Sequence, residues 1–187
     1  MHNRVMPHEF STSYLKDSTA LLRYYKKLAE RAMAQVPDDA LFAVPDSESN
    51  SIAVIVKHLS GHMRSRWTDF LTTDGEKPNR NRDSEFVSPP STRAELLSLW
   101  EAGWNCLFDV LASLTESDLS RQVTIRGEPH SVLQAINRQL AHYPYHVGQI
   151  VFLARHYSAG RWTTLSVPRG QSAAFNAAVV AGKASQR

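Results

Sequence analysis

Apolar residues recur at helical spacing through four long stretches of the chain, separated by polar segments rich in proline, glycine, serine and asparagine. The first stretch runs from about Phe10 to Val36, with Leu15, Leu21, Leu22, Tyr25, Leu28, Ala32 and Met33 at that spacing. "PDDALFAVPDSESN" breaks the pattern. Asn50 or Ser51 is placed to cap a second helix, "SIAVIVKHLSGHMRSRWTDFLTT", which stops near Asp74-Gly75. The polar connection "DGEKPNRNRDSEFVSPPS" shows no element, as in a functional or disordered loop. Ser91, followed by Glu95, opens a third helix to about Ser113. In "SRQVTIRGEPHS", Val123 and Ile125 alternate with polar neighbours before Gly127, the pattern of a short hairpin or strand-like turn. Ser131 then caps a fourth helix, "SVLQAINRQLAHYPYHVGQIVFLARHY", which stops before Gly160. The tail is irregular, with room for a short final helix. The pattern predicts an all-α protein: a four-helix bundle with long crossover loops and a short hairpin before the last long helix. No repeat or linker divides the chain, so residues 1–187 read as one domain, its core over about 10–160 and its tail over 161–187.

Composition suits that reading. At 187 residues and 42% apolar, the chain can bury a sizeable core. A formal charge of +3 and a pI near 9.1 are too mild to imply a nucleic-acid surface unless concentrated on one face. The single cysteine, Cys106, excludes an intrachain disulfide and suits a reducing cytoplasm. Its apolar setting, "WNCLFDVL", reads as a small core residue rather than a nucleophile. "MHNRVMPHEF" lacks an apolar signal core, and no segment approaches the ~18–20 apolar residues of a membrane span. A soluble cytoplasmic protein with no membrane association is expected.

The candidate chemistry lies in histidines. His142 and His146 stand four apart in "AHYPYHVGQI", about 40° apart around a helix and one turn in height, so both can face one metal ion. His58 and His62 repeat the spacing in "KHLSGHMRSRW". The plainer reading makes each pair hydrogen-bonded core or surface histidines, and two pairs weigh against it more than one does. The predicted second helix holds one acid, Asp69, and the fourth holds none. A di-iron centre, which needs several inward carboxylates, and a zincin, which needs H-E-x-x-H, are therefore excluded. What remains is a mononuclear, all-imidazole site acceptable to zinc, nickel, copper or iron. Gln149, seven residues after His142, either holds a bound water or substrate or is a helix-surface glutamine. Pro144 removes a backbone donor and should bend the helix, either re-aiming the histidines or merely being tolerated.

"NSIAVIVKHLSGHMRSRW", "TDFLTTDGEKPNRNRDSEF", "QLAHYPYHVGQIVFLARHY" and "LSVPRGQSAAFN" together resemble the DinB-like superfamily, and more closely its branch known only as a domain of unknown function. The resemblance spans about Phe10 to Asn176. It implies a four-helix bundle holding a divalent metal, zinc or nickel foremost, on three histidines. His58 matches the ligand from the second helix, and His142 and His146 match the pair from the fourth. His62 falls outside that pattern and is treated as a neighbour. Members commonly form homodimers. Some relatives transfer low-molecular-weight thiols such as bacillithiol or mycothiol, and others carry the label of metal-dependent hydrolases. No activity of this branch can be carried over residue by residue.

Arg64, Arg66, Lys77, Arg80 and Arg82 cluster near the second helix, where arginine forks could grip an anionic substrate. Interleaved Asp69, Asp74, Asp83 and Glu85 make loop-ordering ion pairs the more economical account. Arg66, Arg82 and Arg169 are carried forward as substrate-pocket candidates, the last because "SVPRGQS" can fold the tail back over the helices. Trp67, Trp100, Trp104 and Trp162 read as core or interface area. Two functions follow: a metal-dependent thiol transferase or hydrolase acting on a small molecule, or a non-catalytic metal- or ligand-binding dimer with a structural or stress-related role. No general base presents itself, so catalytic residues stay unassigned. Nucleic-acid binding, lacking a basic helix, ranks last.

Overall fold

Five α-helices and one two-stranded sheet make up the regular structure of residues 12–185, which the computed structural model describes. The first helix, α1, spans Tyr14–Met33 and begins where the Ser13 side chain accepts from the Lys16 amide. The expected start near Phe10 lies outside the described residues. Its buried side is Leu15, Leu22, Ala29, Ala32 and Met33, while Leu21 is exposed. Ser51 caps α2, Ile52–Trp67. The second helix therefore ends well before Asp74-Gly75. Thr68 turns extended and Asp69 takes a φ of 47°.

The predicted stop signal serves another contact. The Asp74 carboxylate accepts from the backbone amides of Arg126 and Gly127, each at 2.8 Å. Those two residues have positive φ and form the turn between β1, Gln122–Ile125, and β2, Glu128–Ser131. The hairpin is antiparallel, with Val123 opposite His130. The third helix, α3, covers Arg93–Ser113 and is capped by Thr92 rather than Ser91. Thr92 accepts from the Glu95 amide, while the Glu95 carboxylate reaches back to Ser91. In α4, Val132–Tyr157, Ser131 and Gln134 form a reciprocal capping box. The helix runs unbroken through Pro144. The tail contains α5, Ser172–Val180.

Side-chain contacts fix the helix directions. Arg93, opening α3, donates to the carbonyls of Met33 and Val36 at the end of α1, so these two helices are antiparallel. Tyr14 and Asn137 meet near the starts of α1 and α4, which run parallel. Between α2 and α3, Ser60 reaches Leu99 and Thr68 reaches Cys106, again a parallel pair. Parallel neighbours need a return path. The 16 residues of α2 rise about 24 Å, and the polar connection between α2 and α3 covers that length. It is not without structure, since Asp83–Phe86 form a short 3₁₀ turn. Trp67, Trp100, Trp104, Tyr143, Leu59 and Met63 fill the core between the helices. No helix among the described residues is long and apolar enough to cross a membrane.

Candidate metal centre

Histidines from α2 and α4 meet in pairs. His58 and His146 have ring centroids 5.0 Å apart, and His62 and His142 4.5 Å apart. Moving one turn up α2 moves the partner one turn down α4, so the helices are antiparallel and each histidine column faces the other. Ligand atoms of His58, His142 and His146 all lie within 4.8 Å of one another, so these three could hold a metal ion.

Hydrogen bonds orient the rings. The Nδ1–H of His58 donates to Glu85 Oε2 at 2.9 Å, because a carboxylate can only accept. The Nδ1–H of His146 donates to Gln149 Oε1 at 2.8 Å. Both residues therefore present an Nε2 lone pair to the shared space. His142 Nε2 stands 3.1 Å from His146 Nε2, and without an ion one of the two must carry a proton. A cation between them replaces that proton and satisfies both. Nitrogens around a tetrahedral ion with metal–nitrogen distances of about 2.0–2.1 Å stand about 3.3 Å apart. The 3.1 Å pair is near that spacing, and modest ring rotation brings His58 in.

His62 takes a different role. Tyr143 Oη accepts from Trp67 Nε1 at 2.9 Å and shares a second hydrogen bond of 3.2 Å with His62 Nδ1, so that ring nitrogen is engaged by the phenol. The ring stays beside the three-histidine cluster, outside it.

The surroundings of His142 and His146 disfavour their charged forms. Burial, then His146, His58, Arg66 and Arg80, lower His142 to about 4. Burial and the His58 charge also lower His146, against the Gln149 hydrogen bond. His62 is pushed well below its ordinary value by burial, then by His142, Arg66, Arg80 and His58. Burial raises Glu85, but bonds from His58 and Arg80 outweigh it and hold the carboxyl ionised. Arg80 grips Glu85 with two parallel bonds of 2.8 and 2.9 Å and also pairs with Glu76.

Glu85 is the functional residue the sequence pattern did not single out for this site. Counting acids in the two helices left the ligand set all-imidazole, and that set is what the cluster contains. The carboxylate arrives behind His58, from the 3₁₀ turn of the crossover. Phe86 follows it and stacks on His58 at 4.8 Å. The arginine cluster divides. Arg80 makes ion pairs and also lines the cavity over the histidines with Arg66 and Arg82, whereas Arg169, exposed in the tail, does not line it. Gln149 lines the cavity as well as holding His146. Cys106 is half-buried against Thr68, away from the cavity. The cavity is about 800 Å³, a size that accommodates a small organic molecule.

A family model described as "Protein of unknown function (DUF1572)" matches residues 9–171, and no curated protein matches the chain.

Proposed function

We propose that this chain, which belongs to the family of proteins of unknown function DUF1572, is a DinB-like four-helix bundle that binds one divalent metal ion through His58, His142 and His146. We further propose that it uses the ion as a thiol transferase or hydrolase on a small molecule. The carrying observation is the meeting of three imidazoles whose outer nitrogens are tied to Glu85 and Gln149 or left free. A carboxylate behind a ligating histidine fixes its tautomer and raises its basicity. Zinc or nickel suits three neutral imidazoles. Bound there, such an ion supplies Lewis acidity that lowers the pKa of a water or thiol sharing it. The chain's own residues orient the ligands, exclude charge competition from the ring nitrogens, and wall the cavity.

The rest of the proposal follows the family likeness: one domain over the whole chain, a cytoplasmic setting, and a homodimer. Exposed Tyr145 and Phe152, on one face of α4, supply apolar surface for the dimer. A second reading, a non-catalytic metal-binding dimer, draws on the absence of any carboxylate among the described residues lining the cavity. Under that reading there is no general base.

Metal analysis of untagged protein tests the site. Wild type should carry one ion per chain, and His58→Ala, His142→Ala and His146→Ala should each lose it. Stoichiometric metal surviving all three changes refutes the assignment. Thiol transfer to an electrophile, assayed with bacillithiol, mycothiol and glutathione, then separates the readings. Metal-loaded protein that is silent with all three, and with ester and amide substrates, leaves the non-catalytic role.

A further inference from the structure

Beyond the histidines, the facing columns of α2 and α4 continue. One turn after His62 comes Arg66, and one turn before His142 comes Arg138. Both line the same cavity. Two cations thus share the end of the cavity remote from His58. Arg66 is 4% exposed, and its Nε and one terminal nitrogen are buried without a hydrogen-bond partner. Arg138 has no ion pair among the described residues. Next to it on α4, Gln139 is 2% exposed and its Oε1 is buried without a donor.

Nearby carboxylates are already engaged. Glu76 pairs with Arg80 and Arg126, Glu85 with Arg80 and His58, and Asp74 with the hairpin turn. Five arginines line the cavity, and no aspartate or glutamate among the described residues does. A buried guanidinium with unmet donors costs free energy unless something polar meets it. Arg138 and Arg80 add to burial in opposing the Arg66 charge, while Tyr143 and Glu76 favour it. This end of the cavity therefore holds the positive charge of Arg66 and Arg138 with no carboxylate among the described lining residues facing it.

We propose that the Arg66–Arg138 end of the cavity binds the carboxylate of a small organic acid bearing a hydroxyl or amino group beside it. Arg66 and Arg138 meet the carboxylate, and the Gln139 amide, which lines the same cavity, turns its buried oxygen towards the neighbouring donor and accepts from it. The rest of the molecule extends along the columns towards His142 and His146. That direction rests on the metal reading, whereas the anion site itself does not.

Binding of L-lactate, acetate and inorganic phosphate to chelator-stripped full-length protein, followed by NMR titration, tests the assignment. Lactate should bind more tightly than acetate or phosphate. Arg66→Gln should weaken lactate about 10- to 100-fold and Arg138→Gln about 3- to 10-fold, as expected for lost charge-assisted bonds. Gln139→Leu should bring lactate down to the affinity of acetate. Arg138 is exposed, so its variant decides the matter if Arg66→Gln fails to fold. Three results overturn the proposal: no binding of lactate to wild type at tens of millimolar, equal binding to wild type and Arg138→Gln, or phosphate preferred over lactate. Zinc uptake is measured on the same samples. A protein that binds lactate but no zinc retires the metal reading alone, and one that binds zinc but no anion retires this one alone.

Discussion

Gly61→Ala pits local helix propensity against the site. Gly61 lies inside α2 between His58 and His62, where alanine should stabilise the helix by about 1 kcal/mol. A Cβ at this position, however, would stand 2.5 Å from Glu85 Oε1, 2.8 Å from its Cδ and 3.1 Å from its Cγ. Non-bonded contacts settle near 3.5–4.0 Å, so the carboxylate must retreat by about 1 Å. It is not free to do so, being held by two bonds from Arg80 and one from His58. Losing one such charge-assisted bond costs about 1.5–3 kcal/mol. Net of propensity, Gly61→Ala should destabilise the metal-free protein by about 0.5–2 kcal/mol. Because His58 loses its orienting partner, zinc affinity should fall about 10- to 100-fold. Gly148→Ala in α4 is the control: a Cβ there meets nothing within 4 Å, and only the gain of about 1 kcal/mol should remain. Urea unfolding of stripped protein and zinc competition with a chromogenic chelator read the two quantities. If Gly61→Ala stabilises as much as Gly148→Ala and keeps full zinc affinity, Glu85 does not support the site.

Further outcomes follow from the same contacts. Gly103→Ala places a Cβ 2.9 Å from the Ser60 Cα; backbone cannot yield as a side chain does, so a loss of about 1–3 kcal/mol is expected in urea melts. Tyr143→Phe strips the acceptor from Trp67 Nε1 and the hydrogen-bond partner from His62 Nδ1, which should cost about 1–3 kcal/mol in a buried setting, and unchanged stability would remove the polar link between α2 and α4. Acid should destabilise the metal-free protein. His142 is lowered from 6.5 to about 4 in the fold, so below pH 6.5 the unfolded chain binds the extra proton, and stability drops as pH falls from 6.5 towards 4. By pH 5 the loss from this residue is about 2 kcal/mol, with His62 adding in the same direction. His142→Gln should make the decline of the urea midpoint between pH 6.5 and 5 shallower, leaving the part due to His62 and His146, and an equally steep decline in that variant would refute the assignment.

The helices were legible because each buries a face at a period the sequence displays, and the hairpin because Val123 and Ile125 alternate ahead of a turn that Arg126 and Gly127 close with positive φ. The start of α3 was read one residue early, at Ser91. Thr92, three residues before Glu95, accepts from the Glu95 amide, while Ser91 meets the Glu95 carboxylate instead. The end of α2 was not readable, since Asp74-Gly75 is a genuine turn signal whose partner lies some fifty residues away in the hairpin. His142 and His146 were legible through their spacing. Preferring His58 to His62 rested on the family likeness, because the groups that engage the two rings, Glu85 in the crossover and Tyr143 on another helix, have no signature beside them in sequence. Arg66 shares the column of His58 and His62 at two helical turns, so its place at the cavity follows from the period. Arg169 depended on the path of an irregular tail, which no local pattern encodes.

Glu85 had no local signature, and the reason lies in the topology. Because α2 and α3 run parallel, the chain between them must return along α2, and that return path lies against the histidine-bearing helix at two glycines. At Gly61 the Glu85 carboxylate occupies the space a Cβ would fill. At Gly75, in the crossover itself, a Cβ would stand 2.5 Å from an Arg66 terminal nitrogen. One contact supports the histidine end of the column and the other covers the arginine end. The crossover is therefore a wall of the candidate site, fixed by Arg80 to Glu76 and Glu85 and by Asp74 to the hairpin. Its polar sequence, read alone as a loop, is what a segment needs if it must hold a carboxylate against an imidazole without adding one to the cavity.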